Sequence, residues 1–340
     1  MRLLALVATI GLVGVACGDS GGGESTDAQL SHRFPPVLIE PGEEDLGKCQ
    51  SWTLENDEPL YVNKVTQHND GAWHHSNWFF VPETMYDVPD GTWDCEEHGF
   101  REYLAAAAGG VFFAQSTQAF SETQAFPEGA VLEIPPRSKI VGDIHLVNVS
   151  AATLDSAISF DLDTVSEDDV QVRLRPISFS NSSLAIRPRA ESRFSMSCDL
   201  SEPFENLGGL PEYNIYYVLA HYHQWGNFFN LSFVHEDGRE RTIIELDNGV
   251  GEPLGLTLDP PIPSQGATGL RVTCGYDNDT DRTLEYGFKD QEMCVFLAYT
   301  DADAKVGIGS GEDQDMGPNE DGIFMHETEC GSVVAFPATD

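Results

Sequence analysis

Through most of this chain, apolar and polar residues alternate in short runs. Examples are Tyr61-Val62-Asn63-Lys64-Val65, Val131-Leu132-Glu133-Ile134, Ile158-Ser159-Phe160-Asp161-Leu162 and Val170-Gln171-Val172-Arg173-Leu174. Later runs are Phe228-Phe229-Asn230-Leu231-Ser232-Phe233-Val234 and Gly269-Leu270-Arg271-Val272-Thr273-Cys274. Alternation with β-branched and aromatic residues, bounded by Gly, Pro, Asn and Asp, is the pattern of half-buried strands. One segment reads otherwise: Glu102-Tyr103-Leu104-Ala105-Ala106-Ala107-Ala108 is a helix candidate, stopped by Gly109-Gly110. The expected class is all-β, as two consecutive antiparallel β-sandwich domains, jelly-roll-like.

Length supports two units, because 340 residues exceed what one core comfortably holds and fit two domains of about 150 each. Ser and Asn accumulate in Ser178-Phe179-Ser180-Asn181-Ser182-Ser183, so the boundary is expected within 176–190, giving domains 36–180 and 181–340. The N-terminus carries Arg2 and an apolar run from Leu3 to Ala16. That run is too short to span a bilayer and reads as an export signal over 1–17. Gly14 and Ala16 before Cys17 resemble a bacterial lipoprotein cleavage site, so a lipid anchor at Cys17 is expected, followed by a polar tether over 18–35. The expected destination is the periplasm or cell surface.

Setting Cys17 aside, Cys49, Cys95, Cys198, Cys274, Cys294 and Cys330 form an even set in an exported chain, which favours disulfides. The net charge of -38, from 56 acidic and 18 basic residues, argues against nucleic acid or an anionic membrane surface as partner. Ser166-Glu167-Asp168-Asp169 and Gly311-Glu312-Asp313-Gln314-Asp315 do not match an EF-hand and read as solvated loops.

The candidate chemistry lies in five His and one Met. His221-Tyr222-His223 sits within the aromatic run from Tyr216 to Trp225, where strand alternation would put both imidazoles on one face. His74-His75, in Trp73-His74-His75-Ser76-Asn77-Trp78, would point to opposite faces of a regular strand. Joint ligation there requires a bulge, a strand end or different ring nitrogens. Adding His145 and Met293 gives a set of imidazoles and a thioether, which suits copper; with no Cys placed as a blue-copper thiolate, the chemistry reads as type II. His32, His68, His98, His235 and His326 read as ordinary surface or hydrogen-bonded residues.

In these stretches the chain resembles the copper type II, ascorbate-dependent monooxygenases, the family of peptidylglycine α-hydroxylating monooxygenase and dopamine β-monooxygenase. The resemblance covers roughly residues 45–335. It rests on Trp73 to Phe80, on Phe126-Pro127-Glu128-Gly129 with Ile144-His145-Leu146-Val147-Asn148, and on Leu219-Ala220-His221-Tyr222-His223-Gln224-Trp225-Gly226. Val272-Thr273-Cys274-Gly275-Tyr276-Asp277-Asn278 and Asp290-Gln291-Glu292-Met293-Cys294 complete it.

The resemblance implies two copper ions per chain, one in each domain and facing an interdomain cleft. His74, His75 and His145 would form an electron-supplying centre; His221, His223 and Met293 would form the catalytic centre that meets dioxygen. It implies hydroxylation of a C–H bond of a small substrate, with ascorbate or a similar reductant as co-substrate, by a monomer. It also implies the pairings Cys49–Cys95, Cys274–Cys294 and Cys198–Cys330. Where the peptide-amidating branch holds a carboxylate with Arg and Tyr, this chain has Leu219 and Leu297. Neither makes charge-assisted hydrogen bonds, so a peptidylglycine substrate is not expected; the leucines suit an apolar substrate or a core. The alternative from another class is an exported protein that sequesters or delivers copper without turnover. Structural zinc seldom uses Met, and a serine hydrolase would need a Gly-x-Ser-x-Gly elbow between a strand and a helix, whereas the run Gly18-Asp19-Ser20-Gly21-Gly22 falls in the expected tether.

Overall fold

The computed structural model describes residues 28–115, 118–205, 207–209, 212–247, 255–287 and 290–337. The expected export signal, Cys17 and most of the tether lie outside them. The end of the expected tether is different: Ala28–Arg33 is a strand paired antiparallel with Ile158–Val165, because its register places Leu30 opposite Leu162 and against the first core. No helix among the described residues is long and apolar enough to cross a membrane.

The protein is mostly β. In the first half, one sheet runs in the order Ala28–Arg33, Ile158–Val165, Leu60–Asn69, Ala130–Ile134 and Val172–Arg173, with Ser121–Ala125 also paired to Leu60–Asn69. A second runs in the order Gly91–Asp94, Glu44–Thr53, Ser138–Val147, Trp73–Pro82 and Gly110–Gln115. Their buried faces share one apolar cluster, in which Val65, Leu132 and Phe160 meet Trp78, Ile140 and Ile144. Trp78 is central, with its ring 4.7 Å from Phe34 and 4.9 Å from Phe160. The helix forms over Glu102–Ala108 as expected, ending at Gly109. Gly109 is required there, since an added Cβ would lie 1.7 Å from the Phe80 carbonyl oxygen.

In the second half, ten strands form one continuous sheet. Its order is Glu240–Asp247, Gly226–Val234, Gly269–Asn278, Ala190–Asp199, Phe324–Pro337, Ala304–Pro318, Arg175–Ser180, Val295–Thr300, Asn214–His221 and Leu256–Pro263. The long hairpin of Ala304–Pro318 and Phe324–Pro337 joins the two arms, pairing in parallel with Ala190–Asp199 on one side and Arg175–Ser180 on the other. The arms fold over a common core in which Phe194, Phe229 and Leu231 meet Val218, Phe296 and Ala298. Within the first half the first core runs as far as Leu174, and the second begins at Ile177.

Three disulfides are formed: Cys49–Cys95, Cys198–Cys330 and Cys274–Cys294. The last ties Gly269–Asn278 in one arm to the residue preceding Val295–Thr300 in the other. Three disulfides fit a chain that folds in an oxidising compartment.

The halves are in direct contact. Tyr217, Leu219, Leu297 and Tyr299, on two paired strands of the second half, belong to the first core. Phe126 packs 5.2 Å from Tyr299, whose hydroxyl donates to the Val111 carbonyl at 3.2 Å.

Candidate metal centre

His74 and His75 open the strand Trp73–Pro82, and His145 lies on its neighbour Ser138–Val147. His145 stands opposite His75, yet the next residue, Leu146, pairs with Trp73. One residue, His74, is therefore extra on its strand, and the pairing bulges there. The bulge removes the objection that adjacent strand residues face apart: the rings of both His74 and His75 stand 4.8 Å from that of His145.

The other pair departs from the expected regular strand. Asn214–His221 ends at His221, and His223 lies beyond it, before a turn into Gly226–Val234. The chain reverses over Gln224 and Trp225, with the Gly226 N–H donating to the His223 carbonyl at 3.0 Å. The intervening Tyr222 is fully buried in the second core, so the two imidazoles project elsewhere. Gly226 makes this fold-back feasible, since a Cβ there would fall 1.9 Å from the Tyr222 ring. The His221 and His223 rings lie 5.2 Å apart.

All five imidazoles meet in one place. His75 stands 5.6 Å from His221, and His74 stands 5.7 Å from His223, ring to ring. These contacts between the halves are nearly as short as those within each set. The reason is the direct packing of the halves through Leu219, Leu297 and the two tyrosines. His75, His145, His221 and His223 are buried and His74 is half-buried. Ligand nitrogens of His74, His75 and His223 lie within 4.8 Å of one another.

The hydrogen bonds show which nitrogens face the cluster. His223 Nδ1 is 2.9 Å from the Gln291 carbonyl, which can only accept, so Nδ1 carries the proton. Its Nε2 is buried with no hydrogen-bond partner, the arrangement of an imidazole presenting its lone pair to a metal. His145 Nδ1 lies 3.1 Å from His75 Nε2. Two nitrogens on one tetrahedral ion, with bonds of about 2.0 Å, would stand about 3.3 Å apart. The donor set and its spacing fit a bound metal ion.

Electrostatics point the same way. Burial, and then the neighbouring His145 and His223, lower His74 to about 4. Burial lowers His75 well below the usual imidazole value, with His221 adding to the effect, and burial also lowers His223. These rings stay neutral at physiological pH, the form that binds metals.

Met293 is buried between Glu292 and the disulfide-bonded Cys294. Its carbonyl accepts from the Tyr276 hydroxyl at 2.6 Å. Glu292, fully buried, accepts the backbone N–H of His223 and Trp225, each at 2.8 Å, and that of Met293 at 3.2 Å. Burial raises its carboxyl to about 7, against those three hydrogen bonds. The sequence offered no sign of this role beyond a lone acid beside Met293. Leu219 and Leu297 face each other across paired strands and are buried in the first core, so of the two expectations for them the core is the one realised.

The remaining histidines serve elsewhere. His326 stacks on Phe194 at 4.0 Å and pairs with Asp313 at 2.7 Å. His32 stacks on Trp52 at 4.2 Å. The pairing of Asp313 with His326, and of Asp315 with Arg187, makes those acids part of the hairpin's own packing.

No protein-family model matches the chain, and no curated protein matches it. Among solved structures, a Parabacteroides distasonis protein named for an inferred secretion is similar at 9% identity, covering 79% of this chain and 88% of that one, with a TM-score of 0.21. The PBSX exported protein XepA is similar at 6% identity, covering 80% and 86%, with a TM-score of 0.21. The VP2 protein of infectious bursal disease virus is similar at 9% identity, covering 82% and 71%, with a TM-score of 0.20. Likenesses this slight carry no argument about what the protein does.

Proposed function

We propose that this protein is an exported, copper-dependent monooxygenase that hydroxylates a C–H bond of a small substrate, using dioxygen and ascorbate or a similar reductant. The observation that carries the reading is the convergence of five imidazoles, from both halves of the chain, on one largely buried place. Copper, when bound, would supply one-electron redox chemistry and activation of dioxygen. His74, His75 and His145 would hold one ion, and His221, His223 and Met293 a second. The thioether favours the Cu(I) state that meets dioxygen. Glu292 and the Gln291 carbonyl hold His223 in place, and burial of the rings limits access of water. In this reading each half is a β-sandwich contributing one ligand set, and the monomer is tethered to a membrane by a lipid on Cys17.

A second reading, copper sequestration without turnover, is favoured by the burial of Leu219 and Leu297 in the first core, which fills space where the resembled enzymes hold substrate.

Copper titration of metal-free protein, followed by oxygen uptake with ascorbate and a panel of small C–H substrates, tests the proposal. The expected result is about two type II coppers per chain and substrate-dependent uptake. Binding of copper without any substrate-dependent uptake would support sequestration, and failure to bind copper would sink both readings. Met293→Ile keeps the apolar volume, so it should fold while losing Cu(I) affinity and turnover.

A further inference from the structure

His145 has a second close partner. Its Nε2 lies 2.9 Å from Glu44 Oε1, while its Nδ1 faces His75. Glu44 begins the strand Glu44–Thr53, which flanks Ser138–Val147 on the side away from the His-His strand. It stands opposite Val147, two residues beyond His145, and side chains two apart share a face. A register shift between Ile144 and Leu146 in this pairing accompanies that placement. The carboxylate is mostly covered, with 19% of its side chain exposed, and the imidazole is 3% exposed.

We infer that Glu44 is a positioning residue: it accepts the Nε2–H of His145, fixes that tautomer, and so presents the Nδ1 lone pair to the cluster. A neutral imidazole carries one proton, and whichever nitrogen donates to an outer acceptor leaves the other as the ligand. In the assigned arrangement the imidazole N–H donates and the carboxylate oxygen accepts, which leaves the other ring nitrogen with its lone pair. A strand-borne acid on the far side of the ring also resists rotation about the imidazole's bonds to its backbone. His223 follows the same logic with opposite nitrogens: its Nδ1 donates to the Gln291 carbonyl, and Nε2 faces inward. His145 thus turns Nδ1 inward and His223 turns Nε2 inward, while His75 meets His145 through its own Nε2. Its metal-binding consequence rests on the copper reading, whereas the tautomer assignment stands apart from it.

The test is long-range proton–nitrogen correlation on metal-free protein carrying isotope-labelled histidine, with Cu(I) affinity measured in parallel against a competing chelator. Wild-type His145 should carry its proton on Nε2. In Glu44→Ala the two tautomers should mix, and Cu(I) affinity should fall about 10- to 100-fold, the usual cost of losing an outer partner of a metal ligand. Glu44→Gln retains an acceptor oxygen and loses only the charge, so the Nε2–H form should persist with a smaller loss of affinity. A wild-type proton on Nδ1 would overturn the inference, as would an unmixed Nε2–H form in Glu44→Ala. If wild type shows the Nε2–H form but binds no copper, the copper reading fails and the role of Glu44 stands.

Discussion

The carboxylate of Glu292 accepts the backbone N–H of His223 at 2.8 Å, just past the end of the paired strands Asn214–His221 and Val295–Thr300. The same carboxylate holds the amides of Trp225 and Met293. One buried acid therefore fixes the turn that carries His223 and the segment that carries Met293 against each other.

Replacing Glu292 with Ala leaves three N–H groups without their acceptor in a buried place. The expected cost is roughly 3 kcal/mol or more, since a buried unsatisfied group costs about 1–3 kcal/mol. Glu292→Gln should fall between, because its amide turns donors towards donors. Amide hydrogen exchange should accelerate at His223, Trp225 and Met293 in Glu292→Ala. Unchanged exchange at those three would show that the carboxylate does not hold the loop.

Acid should act on the cluster in a defined window. An unfolded imidazole protonates near pH 6.5, whereas folded His74 holds out to about 4. Between those values the unfolded chain binds a proton that the folded chain refuses, so stability falls as pH drops. His74 alone accounts for about 3 kcal/mol. Glu292 and Asp143, both raised to about 7 by burial, act in the opposite direction, losing stability as pH rises. Comparison of wild type with His74→Gln isolates the histidine: the variant should lose less stability on going from pH 6.5 to 4. Equal losses in urea unfolding of the two metal-free proteins would count against a neutral, buried His74.

The Cys274–Cys294 bond closes a span of 20 residues and holds the two arms of the second sheet together. Replacing both with Ala should cost about 3 kcal/mol in the chain-entropy model. Cu(I) affinity should also weaken, because Cys294 follows Met293 directly. Denaturation midpoints and chelator competition would measure the two effects; a stable variant with lost Cu(I) affinity would separate the bond's role at the site from its role in the fold.

The resemblance read from the sequence would set Leu219 where the peptide-amidating enzymes carry Arg. Here the side chain is 4% exposed and belongs to the first core. Leu219→Arg should therefore not create a carboxylate site. It should destabilise the contact between the halves by several kcal/mol, the cost of burying an unpaired charge. A soluble Leu219→Arg protein of wild-type stability that captures a peptide carboxylate would contradict the packing described here.

Much of the secondary structure was legible in the pattern of residues. The helix Glu102–Ala108 was marked by its alanines and by the glycines behind it, and most alternating runs formed strands. Alternation describes local faces, however, and is silent on where a strand stops. It extended the His221 strand through Trp225, whereas the close packing of Tyr222 over Gly226 turns the chain first. It likewise kept Val170-Gln171-Val172-Arg173-Leu174 as one strand, of which Val172–Arg173 pairs, because a tight turn over Glu167–Asp169 precedes it. The five histidines could be picked out by residue type and order. Their union in a single cluster could not, since it depends on how two separately patterned halves pack. Glu44 stood in a run of acids, Glu43-Glu44-Asp45, where nothing distinguished it from solvated charge.

The two sets of imidazoles come from segments far apart in the chain, and each set is seated on its own sheet. Neither half alone can present all five rings, and pairings between distant segments form late, after the entropy of closing the intervening chain has been overcome. The complete centre therefore requires contacts of long sequence separation, which cost more chain entropy than the pairings within either half. A metal ion that needed rings from both sets would find the full ligand set only once the halves have docked.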